Sequence, residues 1–390
     1  MTDAASTPTR TGGVLAVHAH PDDETLSTGA LLATWAAAGL PATVVTCTRG
    51  ERGEVIGAPL AALEGDGAAL AAHRERELAA AVSALGATQV FLDALPLPAD
   101  LAGLAGLAER AADVPTGPAE GTSAARSADE ARGARYEDSG MAWVGTGRAG
   151  AAGDVPAGAL VAVPLDVAAG RLAGLLRALR PHLVVTYEPG GGYGHPDHVR
   201  AHAITMRAVE LAACAGASAD SGAGPGGAAG PGAAAGAGTG EDRWAPAVAW
   251  AVAPAAALRA GYAALATDPG SRAVLAAAAD DRRATREAPL ALPDPAGPLP
   301  SVATDAPADL VVDVRPVRDR VLAALRAHAT QVQAVTPLDH PDAVACYALS
   351  NLVLAPVLPT ESYAWAPGRA PATPAAPAAP LRLPPGARWA

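Results

Sequence analysis

Apolar residues recur along this chain in two spacings. Val14–His18 (VLAVH) is short and apolar enough for a strand buried on both faces, and Ala42–Thr46 (ATVVT) and residues 89–92 repeat that pattern. Between these runs, residues 25–38 and 67–85 carry apolar positions at helical spacing, the first stopping at Gly39. Within 67–85 the charged run HRERE (73–77) is expected on the solvent face. Strand, helix, strand, helix in this order predicts a parallel sheet with helices on both faces.

The pattern then breaks. Residues 112–134 and 144–158 are small and polar and read as loops. Order returns with a helix over 166–179, for which Asp166 suits the N-cap, and a strand over 182–187 (HLVVTY). A glycine-rich loop, EPGGGYG, leads into a helix from Pro196 to about residue 213. Residues 215–241 are low in complexity and bury too little apolar area to offset the entropy of ordering them. Strands near 247–252 and 310–314 and a helix over 317–328 follow. The expected fold is therefore α/β: a Rossmann-like, mostly parallel sheet with helices on both faces, plus a small C-terminal subdomain. Residues 1–12 read as a flexible N-terminus and 13–365 as the folded domain, with an insert near 215–241. Residues 366–390 read as a Pro/Ala-rich tail.

Charge and cysteine usage narrow the partners. The net charge is −11, every basic side chain is an arginine, and no basic run stands out, which argues against a nucleic-acid or anionic membrane partner. The first residues lack the apolar core of a secretory signal, and no apolar stretch reaches the twenty or so residues of a membrane span. Cys47, Cys214 and Cys346 are odd in number, widely spaced and without a CxxC pair, as suits a reducing cytoplasm.

Two turns concentrate the chemistry. Residues 18–24 (HAHPDDE) follow the first strand and 192–199 (GYGHPDHV) follow the strand at 182–187, so each sits where open parallel sheets bind ligands. His20 and Asp23 stand three apart around Pro21, and His198 lies in the first turn of the helix opened by Pro196. His20, Asp23 and His198 form a His/His/carboxylate set of the kind that holds a catalytic zinc with an open position; ferrous iron also fits such donors. Asp22 is then free to act as general base, and His195 and Tyr193 to donate to an oxyanion or a departing amine. His18 reads as a packed strand-end histidine, and Glu24 as a residue that caps or supports the turn. The glycines at 190–194 lack a following Gly-Lys-Ser/Thr, so a phosphate loop is not indicated.

At these residues the chain resembles the LmbE-like (PIG-L) deacetylases, zinc-dependent enzymes that remove the N-acetyl group from an N-acetylglucosamine unit. Their two motifs stand here as His20-Pro21-Asp22-Asp23 and His195-Pro196-Asp197-His198. VVTCTRGERGEVIG (44–57), RYEDSGMA (135–142), HATQV (328–332) and ALSNLVLAP (348–356) are similar to the mycothiol-pathway branch. That branch holds the N-acetylglucosaminyl-inositol deacetylase and the mycothiol S-conjugate amidase. The resemblance implies one zinc per subunit on His20, Asp23 and His198, with Asp22 as base and His195 and Tyr193 as carbonyl-polarising and acid groups. It places Arg74, Asp138, Met141 and Glu54 in segments lining the sugar and inositol pocket. Asp197 is expected to support His195 or His198, while His328 and Gln331 face the site or cap the last helix. Ser27, where the amidases tend to carry lysine, Gly194, and GEVIG at 53–57 lean toward the deacetylase, acting on a small-molecule substrate.

Two readings of other classes compete. A catalytically silent sugar- or metal-binding protein of the same fold would not need both carboxylates and both histidines. A doubly wound nucleotide-binding enzyme would need a GxGxxG after the first strand, and none follows it.

Overall fold

The computed structural model describes residues 12–98, 135–145, 148–218, 244–285, 288–371 and 383–390. The loop expected over 112–134 and residues 219–241 of the expected insert lie outside them. The chain runs β1 (Val14–His18), α1 (Asp23–Ala37), β2 (Ala42–Thr46), α2 (Gly67–Leu85) and β3 (Thr88–Phe91). A hairpin of β4 (Met141–Gly145) and β5 (Arg148–Ala151) follows. Next come α3 (Leu165–Leu179), β6 (Leu183–Tyr187), α4 (Pro196–Ser218), β7 (Ala247–Pro254), α5 (Ala255–Thr267) and α6 (Pro269–Thr285). The last part holds β8 (Ala303–Thr304), β9 (Leu310–Asp313), α7 (Arg318–Ala327), β10 (Gln333–Pro337), β11 (Ala345–Ala348), β12 (Leu354–Val357), β13 (Thr360–Trp365) and β14 (Ala387–Trp389).

The main sheet is ordered β14-β9-β13-β7-β6-β1-β2-β3, with β8 beside β7. From β7 to β3 all neighbours are parallel, while β13, β9 and β14 add an antiparallel edge. Side chains alternate across the pleat, so β1 serves two cores at once. Val14 and Ala16 pack with Leu31, Trp35, Leu78 and Val321 under α1, α2 and α7. Leu15 and Val17 pack with Leu172, Leu176, Ile204 and Val209 under α3 and α4. A smaller antiparallel sheet, β10-β11-β12, shares a third core with α5, through Leu265, Leu338, Cys346 and Leu354. The α/β architecture with a mostly parallel sheet is as expected from the sequence. No helix among the described residues is long and apolar enough to cross a membrane.

Four expectations change. Part of the loop expected over 144–158 is the second half of the β4–β5 hairpin; its small residues hide the alternation that marks a strand. Asp166 caps nothing: Pro164 precedes α3, and the Asp166 carboxylate takes Arg207 of α4 at 2.7 and 3.1 Å. The run HRERE is solvated only in part: Arg76 is exposed, but Arg74 and Glu77 are buried, and Glu77 accepts Thr330 N–H at 2.8 Å and the Thr330 hydroxyl at 2.6 Å. The expected tail ends in β14, which pairs antiparallel with β9 and sets Trp389 against Trp365, ring centroids 5.7 Å apart.

Candidate metal centre and active site

The strand order reverses at β1: the chain steps from β1 to β2 on one side and from β6 to β7 on the other. Such a switch point opens a crevice at the carboxyl ends of the two central strands, because their connections leave in opposite directions. β1 and β6 are parallel neighbours there, with Ala16 opposite Val185, so the turns that follow them meet. This register, more than any local motif, joins residues far apart in the chain.

The turn after β1 is tightly tied. The Tyr187 hydroxyl accepts Ala19 N–H at 2.8 Å, and Asp23 Oδ2 accepts His20 N–H at 2.9 Å. Asp22 adopts φ 117° and ψ −35°, a conformation that L residues avoid and that costs roughly 1–3 kcal/mol where it is held. Three neighbours hold it: Asp22 N–H donates to Glu24 Oε2 at 2.9 Å, its carbonyl accepts Leu26 N–H at 2.9 Å, and Arg74 approaches its carboxylate at 3.4 Å. His18 is packed rather than ligating, its Nε2 2.9 Å from the Thr28 hydroxyl. Burial lowers its pKa to about 4.

The turn after β6 depends on glycine. Gly191 has φ +70° and a Cβ there would meet Val199 N at 2.8 Å; Gly194 has φ +90° and a Cβ would meet Ala149 O at 2.9 Å. This close approach carries Tyr193 and His195 inward and sets His198 in the first turn of α4. The His198 ring stacks on Tyr187, centroids 4.2 Å apart, and its Nδ1 donates to Gly191 O at 3.1 Å. The Nε2 atom is thereby turned toward Asp23 Oδ2 at 3.3 Å, buried and without a geometric hydrogen bond among the described residues. His195 is oriented the opposite way. Its Nδ1 accepts Asp197 N–H at 3.1 Å, so Nε2 carries the proton of the neutral ring.

Carboxylates and imidazoles crowd together in this cluster. Asp23 Oδ2 sits 3.4 Å from His20 Nδ1, and the other nitrogen of that ring meets Asp197 at 3.2 Å and Asp138 at 3.7 Å. Burial opposes a charge on His20, yet Asp138, Asp197 and Asp23 raise its pKa well above the usual value. Burial likewise opposes ionisation of Asp23 and Asp138, but the histidines hold Asp23 well below the usual carboxylate range and His20 lowers Asp138. The donor set suits a divalent metal. Zinc bonds of about 2.0–2.2 Å at tetrahedral angles put donors about 3.3–3.6 Å apart, and Asp23 Oδ2 lies 3.4 and 3.3 Å from the two histidine nitrogens. Among the described residues, the triples whose donor atoms all lie within 4.8 Å of one another are His20–His195–His198 and His20–Asp138–Asp197; His20, Asp23 and His198 meet through Asp23 Oδ2 alone. In the first of these, His195 Nδ1 accepts the Asp197 amide, which leaves the ring's proton on Nε2; in the second, both carboxylates meet the same His20 nitrogen.

Around this centre the groups differ in acidity. Burial, reinforced by Asp23 and Glu24 and opposed by Arg74 and His328, raises Asp22 to about 6. Burial and the neighbouring His20 and His198 lower His195 to about 2, so the ring is a neutral donor. Burial pushes the Tyr193 phenol up, which keeps its proton in place; its ring lies 5.0 Å from that of His198.

The remaining expected site residues divide. Asp197, expected beside His195 or His198, instead binds His20 through its carboxylate, and its backbone N–H reaches His195. Asp138 belongs to the cluster. Arg74 is buried and engaged by Gly50 O at 2.7 Å, by Pro21 O and by Asp22, so it braces the first turn. Glu54 is exposed and offers only its backbone carbonyl, to Gln331 at 2.8 Å; Glu51 is the acid that touches the site's edge, accepting Asp138 N–H at 3.0 Å. Met141 is half-buried at the start of β4. Ser27 lines a cavity of about 270 Å³ with Thr25, Leu26, Tyr262, Tyr347 and Glu361. Sequence reasoning passed over Ser139, whose N–H and hydroxyl hold Asp197, and Tyr187. The polar residue ending the strand at 182–187 was a usable signal for the second.

Residues 15–209 match the PIG-L family, described as GlcNAc-PI de-N-acetylase. A protein of Kineococcus radiotolerans named 1D-myo-inositol 2-acetamido-2-deoxy-alpha-D-glucopyranoside deacetylase is 39% identical over 90% of this chain and 76% of its own length. Proteins of the same name from Rhodococcus erythropolis and Streptomyces avermitilis are 37% and 35% identical, over 91% and 90% of this chain and 91% and 90% of their own. With its two motifs converging at the switch point of the sheet, this chain belongs to the PIG-L family.

Proposed function

We propose that this protein hydrolyses the acetamide of 1D-myo-inositol 2-acetamido-2-deoxy-alpha-D-glucopyranoside, giving glucosaminyl-inositol and acetate, a step of mycothiol biosynthesis. The protein is an N-deacetylase by family, and the substrate is the one named for its relatives. The observation that carries the reading is the Asp23 carboxylate set between His20 and His198, with His198 Nε2 buried and without another partner among the described residues. We assign His20, Asp23 and His198 as ligands of one zinc ion. When bound, that ion supplies Lewis acidity, polarising the amide carbonyl and lowering the pKa of water from about 16 to about 7.

The side chains divide the remaining work. Asp22, ionised above about pH 6, takes a proton from the attacking water. His195 Nε2–H and the Tyr193 hydroxyl donate to the oxyanion that forms on the acetyl carbon; fixed donors aimed at developing charge need no reorganisation. His195 cannot also serve as a charged acid while Nδ1 accepts the Asp197 amide. Protonated Asp22 therefore returns its proton to the departing amine, and the C–N bond breaks to give acetic acid and the free amine; the acid's remaining proton passes to the amine or to solvent, leaving acetate. Asp138 and Asp197 hold His20 from its far side, which fixes the ring and strengthens it as a ligand.

The test is kinetic. Zinc-reconstituted protein is assayed with N-acetylglucosaminyl-inositol, free N-acetylglucosamine and a mycothiol S-conjugate. The reading requires the highest kcat/KM on the first; a higher value on the S-conjugate makes the protein an amidase, and no amide hydrolysis of any of the three makes it a silent binder.

A further inference from the structure

We propose that the buried pair Glu24–His328 is the positioning device for Asp22, so that the end of α7 sets the geometry of the general base; this rests on reading Asp22 as that base. Glu24 and His328 are 304 residues apart, fully buried, and joined at 2.7 Å between Oε1 and Nε2. The two oxygens of Glu24 do different things. Oε1 takes His328 and the Thr25 hydroxyl, while Oε2 takes the backbone N–H of Asp22 at 2.9 Å. Asp22 is the residue whose backbone is held at positive φ, a conformation that persists only where its surroundings over-determine it. Arg74 grips the same turn from the other side, through Pro21 O and the Asp22 carboxylate.

His328 is itself fixed. It follows the last residue of α7, and its carbonyl accepts Gln331 and Val332 N–H at 3.0 and 2.8 Å. Thr330, two residues on, is anchored by Glu77 of α2. The line Glu77–Thr330–His328–Glu24–Asp22 thus ties α2 and α7 to one peptide N–H in the site. Removing His328 lets the Glu24 carboxylate turn, and the Asp22 backbone loses the partner that holds it away from a relaxed conformation. The metal ligands His20, Asp23 and His198 take no hydrogen bond from this pair among the described contacts, so metal binding is expected to survive its loss.

The experiment is a double-mutant cycle on zinc-loaded full-length protein. His328→Ala and the isosteric Glu24→Gln are each expected to lower kcat at least tenfold, with KM within twofold and zinc stoichiometry unchanged. His328→Gln, which keeps a donor for Glu24, is expected to recover part of kcat. In an Asp22→Asn background, neither His328→Ala nor Glu24→Gln lowers the residual kcat by more than twofold. Equal fold losses in both backgrounds, or wild-type kcat in His328→Ala and Glu24→Gln, overturn the proposal. Wild-type kcat in Asp22→Asn alone overturns the base assignment, and the proposal with it, before any His328 variant is measured.

Discussion

Asp197 lies 177 residues from His20 in the chain, yet its carboxylate meets His20 Nε2 at 3.2 Å, turning Nδ1 toward Asp23. Ser139 fixes the same carboxylate through its N–H at 2.8 Å and its hydroxyl. Partners of this kind set both the orientation and the basicity of a ligating histidine, and their loss typically costs about 10–100-fold in metal affinity or activity. Asp197→Ala is therefore expected to weaken zinc binding by about that factor, read by competition with a chromogenic chelator. Wild-type affinity would remove His20 Nδ1 from the ligand set.

Asp22→Asn keeps the size of the base and removes its proton affinity. Turnover is expected to fall about 10²–10⁴-fold, the usual contribution of a general base, while zinc stays bound. His198→Ala and Asp23→Ala are expected to lose the metal instead, and elemental analysis after dialysis separates the two classes.

The pH dependence follows from the same carboxyl. A general base works only when ionised, and burial raises Asp22 to about 6 in the metal-free chain. A bound dication nearby favours the carboxylate, so the holoenzyme's kcat/KM is expected to fall with decreasing pH through a value at or below about 6. In Asp22→Asn that acidic limb disappears. A limb unchanged by the substitution assigns it to another group.

Tyr193→Phe removes one donor from the oxyanion and leaves the ring beside His198. The expected loss is about 10²–10³-fold in kcat with little change in KM, the usual effect of deleting one such donor. A loss confined to KM would make Tyr193 a substrate-binding group.

Gly194→Ala tests the backbone. At φ +90° an L side chain is strained, and its Cβ would meet Ala149 O at 2.9 Å. A loss of about 1–3 kcal/mol is expected, seen as a lower Tm, together with reduced turnover because His195 is the next residue. An unchanged Tm would mean that the loop can move without cost.

The sequence alone determined a good deal about this protein. Alternation and helical spacing are local properties, so β1, α1, β2, α2, β6 and α4 were legible, and with them the ends of strands where His20, Asp23, His195 and His198 had to sit. Residue chemistry was legible for the same reason, since a His-Pro-Asp pattern declares its donors wherever it folds. What the chain did not declare was which donor faces which. Asp197 reads as a partner of His195 or His198, its neighbours in the chain, whereas the register of β1 against β6 brings its carboxylate to His20. The run HRERE reads as a wet helix face, but α2 packs where α7 and the turn at Pro21 bury Arg74 and Glu77. Glu24 and His328 carry no local signal of their contact at all. Burial, ring orientation and pairing across hundreds of residues depend on how whole elements pack, because an unpaired buried charge is too costly to keep and each must find its partner in space, not in sequence.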